Sequence, residues 1–163
     1  MKYYILIFAI LLVTVVGCNE TNKSDQHALG NVDSIGNNNP EIYRPGLGEF
    51  MSGIQVHHAK LWFAGKNLNW QLADFETKEI KEALEDINKF CADRIETKSI
   101  GMIDAPMDSI GKAIEEKNSL KFQHSYNLLT SACNDCHKAT NHGYNVIKTP
   151  DTPPYSNQDF KVH

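Results

Sequence analysis

The sequence predicts an all-α protein: an antiparallel four-helix bundle followed by an irregular C-terminal tail. Three observations point there. Apolar residues recur at helical spacing in separate stretches between residues 47 and 140. No stretch shows the strict alternation of apolar and polar residues that marks a strand. The prolines (Pro40, Pro45, Pro106, Pro150, Pro153 and Pro154) fall outside the interiors of the periodic stretches, where proline would break a helix. A chain of 163 residues corresponds to one domain by length.

Residues 1–18 read as a processing segment. Lys2 supplies a weak positive region, and Ile5 to Val16 form an apolar run of 12 residues. A comfortable transmembrane helix needs about 20. The run ends in Val15-Val16-Gly17-Cys18, which reads as a bacterial lipoprotein cleavage site with Cys18 as the lipid-bearing first residue. An ordinary signal peptide with a chance cysteine, or an uncleaved anchor, is the alternative. The expected location is the periplasmic face of a membrane, the outer membrane ahead of the inner. Residues 19–44 form a tether, rich in Asn, Ser, Asp and Gly as far as Pro40.

The bundle is expected over residues 45–143. Its first helix runs from Leu47 to Ala64 and is stopped by Gly65. Leu47, Met51, Ile54, His58, Leu61 and Trp62 form its stripe. Val56 and Phe63 point the other way and require a second cover. Gly65 to Asn69 form a short turn, so the second helix, Trp70 to Cys91, runs back along the first. Its stripe includes Ala73, Ile80, Leu84 and Ile87, and also Glu76, an unexpected place for a carboxylate. His58 and Glu76 are about equally far from the turn, which predicts a hydrogen bond between them.

Residues 92–106 form a longer connection, and Ile95, Ile100, Met102 and Ile103 predict that it packs. The third helix spans Met107 to Lys117. Asn118 is placed to cap the fourth, which runs to Thr140 with Phe122, Tyr126, Leu129, Ala132, Cys133 and Cys136 on its inner face. Gly143 stands where a C-cap belongs. The tail, 144–163, is expected to lie across the first and last helices. Tyr144, Val146, Ile147 or Phe160 would cover Val56, Phe63, Leu120 and Leu128; a second copy of the chain, as a homodimer, is the other possible cover.

The chemistry sits at Cys133-Asn134-Asp135-Cys136-His137. C-x-x-C-H is the attachment signature of c-type haem. Residues three and four apart share a helix face, so both cysteines can form thioethers with one haem while His137 meets the iron as proximal ligand. A thioredoxin-like pair would sit at a helix N-terminus, where the dipole lowers a thiol pKa; this pair is near a C-terminus. Zinc would need further ligands such as His142 or His58. A disulfide gives the adjacent histidine no role. Cys91 is left over and reads as a small buried apolar residue. The net charge is −4, with no basic cluster to suggest nucleic acid. An acidic surface suits a basic redox partner protein.

Four helices with C-x-x-C-H late in the last one resemble the class II c-type cytochromes, the cytochrome c prime type, over residues 45–140. In that family the residue facing the iron from the first helix decides the chemistry. It is a methionine ligand in low-spin electron carriers and a non-ligating apolar residue in five-coordinate, gas-binding members. Aligned on Met51 to His57, Met51 falls at that position. The resemblance therefore implies one haem c, a Met/His-ligated iron, and a membrane-tethered electron carrier rather than an enzyme. The tail is longer than the family's, and the His57-His58 pair leaves His58 as a rival sixth ligand. The alternative function is a five-coordinate site for nitric oxide or carbon monoxide. A peroxidase-like role, with His57 or His58 as acid–base group, suffers from poor substrate access in a bundle core.

Overall fold

The structure, a computed structural model, describes residues 43–163. The processing segment, Cys18 and the tether up to residue 42 lie outside the described residues. The regular structure is all helical: α1 (Leu47–Lys66), α2 (Trp70–Phe90), a 3₁₀ segment (Glu96–Ile103), α3 (Asp104–Glu115) and α4 (Ser119–Ala139). No strand occurs among the described residues. α1 packs chiefly on α2 and α3 on α4, with the 3₁₀ segment against α4. Leu61, Ala64, Ala73, Ile87 and Ile110 are almost wholly buried between them, with the rings of Phe122 and Tyr126. Each large apolar side chain so buried contributes about 1.5–3 kcal/mol.

α1 does not stop at Gly65. The helix continues to Lys66, and Gly65 is buried in its last turn, where the Phe122 ring comes so close that a Cβ would overlap it. Here glycine permits close helix approach rather than a stop. The reversal falls on Leu68, at φ 58°. Asn69 then caps α2, its side chain accepting from Leu72 N–H at 3.2 Å. Asn118 caps α4 as expected, accepting from Lys121 N–H at 3.0 Å.

The 3₁₀ segment runs directly into α3, which starts at Asp104 rather than Met107. Pro106 therefore sits in the first helical turn, where its missing N–H is not needed. Ile100 and Ile103 pack inward, whereas Ile95 is 72% exposed and Met102 44%. At the end of α4 the chain reverses at Asn141, φ 63°, not at Gly143. His142 N–H closes that turn on His137 C=O at 2.7 Å.

The tail covers only part of what was expected. Phe160 is buried against Phe63, ring centroids 5.7 Å apart. Asn69 Nδ2 holds that end through the carbonyls of Phe160 and Lys161 at 3.4 and 3.2 Å. Lys60 Nζ lies over the Tyr155 ring at 5.5 Å, so the tail crosses α1. Tyr144 and Val146 stay exposed, as do Leu120 and Leu128 on α4. The reason is local: the chain just after α4 is held close to the end of that helix, as described next.

Candidate functional site

A cavity of about 350 Å³ opens among the start of α1, the end of α4 and the irregular chain beside them. That size is in the range of small-molecule sites. α1 contributes Leu47, Met51, Ile54 and His58; α4 contributes Cys133, Cys136, His137 and Thr140. Arg94, Glu96 and Ile103 close one side, and His142, Asn145 and Ile147 another. The structure thus brings Met51, His58, Cys133, Cys136 and His137 to one cavity. Glu76 is not part of its wall.

Cys133 and Cys136 are free thiols. Burial, reinforced by Cys136 beside it, pushes the Cys133 thiol up to about 11. Burial raises Cys136 as well. A reactive redox pair needs the reverse, a thiolate stabilised by nearby positive charge or a helix N-terminus. Among the described residues no group of three or more His, Cys, Asp or Glu gathers as a set of metal-ion ligands, which is what a zinc site would require.

His137 is oriented by a group that the sequence did not announce. Its Nδ1 lies 2.6 Å from the Asn145 carbonyl, an acceptor, so Nδ1 carries the proton and the lone pair is left on Nε2. This is the usual way a backbone carbonyl fixes the tautomer and ring plane of a ligating histidine. Asn134, between the two cysteines, adds a two-point clamp. Its Nδ2 donates to Ile147 C=O at 2.8 Å, and its Oδ1 accepts from Ile147 N–H at 2.8 Å. The chain after α4 is thereby folded back over the pentapeptide. These pairings join α4 to irregular chain 8 and 13 residues further on, where no periodicity could have revealed them. Two thiols on one helix face, an imidazole with its Nε2 lone pair free, and apolar walls from Leu47, Ile54 and Ile103 together fit a covalently attached haem.

The expected His58–Glu76 bond does not form. Glu76 Oε2 instead lies 2.7 Å from His57 Nδ1, and His57 Nε2 is 3.9 Å from Glu79. Distance from the turn sets height along a helix, not direction; neighbouring residues differ by about 100° around the axis. His57 faces α2, while His58 faces α4. Glu76 is 1% exposed and its Oε1 has no protein partner.

His58 belongs to a closed network on α4. Its Nε2 is 2.9 Å from Thr130 Oγ1, and its Nδ1 is 2.9 Å from the Tyr126 hydroxyl. Thr130 donates its own proton to Tyr126 C=O at 3.0 Å. His58 Nε2–H then donates to Thr130, and the single Tyr126 hydroxyl proton is shared between His58 Nδ1 at 2.9 Å and His58 C=O at 3.0 Å. Burial lowers the His58 pKa to about 4, so the ring is neutral at physiological pH. With both nitrogens committed, His58 could reach an iron only by breaking two hydrogen bonds. Met51 makes no such commitment. At the cavity mouth Glu96 accepts from Arg94 Nη2 at 2.9 Å and Nε at 3.3 Å, with His142 Nε2 at 4.0 Å.

No family model matches the sequence, and comparison with curated proteins and with solved structures gives no significant match.

Proposed function

We propose that this chain is a monohaem c-type cytochrome of the class II kind, serving as a membrane-tethered electron carrier on the periplasmic side. One observation carries the reading: Cys133, Cys136 and His137 of the C-x-x-C-H motif line the same cavity as Met51, and His137 is oriented there by the Asn145 carbonyl. In this reading Cys133 and Cys136 hold haem c by thioethers, and His137 Nε2 is the proximal iron ligand. Haem c, when bound, supplies a one-electron Fe(III)/Fe(II) couple, and a thioether ligand favours the reduced ion. An up-down-up-down antiparallel bundle accounts for the start of α1 meeting the end of α4.

The side chains divide the remaining work. Met51 is the distal ligand, favoured because both His58 nitrogens are engaged. Leu47, Ile54 and Ile103 exclude water, and Asn145 keeps the His137 ring in plane. The Arg94–Glu96 pair stands at the mouth, where polar edges of the group would meet solvent. A lipid on Cys18 would keep the carrier at the membrane, and its partners would be redox proteins.

The test is spectroscopic. Protein matured with a haem-attachment system should carry covalent haem on a denaturing gel. The ferric form should show the weak sulfur-to-iron band at the red end of the spectrum, lost in Met51→Ala along with a gain of carbon monoxide binding. A wild-type protein that is high-spin and binds carbon monoxide quickly would overturn the carrier in favour of gas binding. A chain without covalent haem would overturn both.

A further inference from the structure

We propose that Tyr126 and Trp62 form a relay that drains oxidising equivalents from the cavity to solvent, protecting the site when it meets a hydroperoxide. The inference rests on the haem reading above. Tyr126 is wholly buried, seven residues and so about two helical turns before Cys133 on the same face. Its hydroxyl lies 2.9 Å from Nδ1 of His58, a residue of the cavity wall. The Trp62 ring follows, its centroid 4.9 Å from that of Tyr126. Trp62 is only partly buried, so the line of rings ends at the surface. Phe122 also touches both rings, but a benzene ring is too hard to oxidise to carry the charge onward.

The His58 contact is what makes a buried phenol oxidisable. Losing an electron makes the phenol strongly acidic, and with no base in reach the charge is trapped at high energy. Here Nδ1, left without a proton because the ring's own proton goes to Thr130 through Nε2, lies 2.9 Å from a hydroxyl that is also within 3.0 Å of the His58 carbonyl. Hydrogen peroxide that takes two electrons and two protons becomes two waters, and with haem c bound in the cavity both electrons would have to be made good by the surrounding side chains. For each of the two, Tyr126 gives up one electron while its phenolic proton moves to His58 Nδ1. The products are a neutral tyrosyl radical and an imidazolium. Trp62 then passes an electron to Tyr126, and the proton returns from His58 to the phenolic oxygen. The deficit now rests on the indole, which releases its N–H proton to water. A thiol or ascorbate in solution restores the electron and the proton.

The haem-loaded protein is treated with hydrogen peroxide while haem absorbance is followed, and samples are freeze-quenched for electron paramagnetic resonance. Wild type should show an organic radical and bleach slowly. Trp62→Phe and Tyr126→Phe should bleach several-fold faster, and Trp62→Phe should shift the radical signal to a tyrosyl type. Phe122→Leu, which disturbs the same cluster without removing an oxidisable ring, should bleach like wild type. The comparison repeated in Met51→Ala, whose distal side is open to peroxide, should enlarge the difference. Covalent haem with equal bleaching in wild type and Trp62→Phe, and no organic radical, would overturn the relay alone. Absence of covalent haem would overturn the reading beneath it.

Discussion

Acid should loosen this fold through His58, by an amount that follows from its burial. The imidazole is 4% exposed, and its pKa falls from 6.5 to about 4 because burial disfavours the charged ring. Between those values the unfolded chain holds a proton that the folded protein does not. Stability from this group is therefore present in full above about pH 6.5 and is lost as the pH falls towards 4. The whole gap corresponds to about 3 kcal/mol. Lowering the pH from about 7.5 to about 5 should remove about 2 kcal/mol of it. Carboxylates also respond to acid, so the measurement is a difference. Urea unfolding of wild type and His58→Gln, followed by helical circular dichroism across this range, isolates the one ring. The glutamine amide of that variant has no proton to gain, and the advantage of wild type over it should shrink by about 2 kcal/mol as the pH falls. Two stability curves running parallel would refute the reasoning, since His58 would then titrate alike in folded and unfolded chains.

His57→Ala leaves Glu76 buried without its partner and should cost about 3 kcal/mol; adding Glu76→Leu should recover much of that, as measured by chemical denaturation. Gly65→Ala drives a methyl group into the Phe122 ring and should cost about 1–3 kcal/mol, with partial rescue by Phe122→Leu in a thermal melt. Phe160→Ala should cost about 3 kcal/mol by emptying the contact with Phe63, whereas Tyr144→Ser, at an exposed position, should stay within about 0.5 kcal/mol of wild type.

The helical class was legible because periodicity reports burial. Leu61, Ile80, Ile87 and Leu129 all lie on stripes read from spacing, and all are buried. The Asn118 N-cap was readable for an equally local reason: the side chain and the N–H that it satisfies are three residues apart. Gly65 misled because glycine ends helices and also lets helices touch, and only the position of Phe122 decides between them. The His58–Glu76 expectation had the right height and the wrong face, a distinction that needs the rotation of α1 against both α2 and α4. At the cavity, spacing picked out the two cysteines and His137, the family resemblance pointed to Met51, and the structure brings these side chains to one cavity. Asn134 and Asn145 were not visible, since their roles arise from the path of the chain beyond α4.

The clamp of Asn134 on Ile147 also bears on the order of events in making this protein. Cys136 is 5% exposed, and the stretch that shields the pentapeptide is pinned both at Asn134 and at His137. On the haem reading, an enzyme that must reach Cys136 would find that thiol buried once the chain has folded. On that reading, attachment would come before the chain folds. The clamp would be the last piece to shut. A chain allowed to fold first should accept haem slowly, and Asn134→Ala, which unpins the strap, should shorten that delay in a timed loading assay.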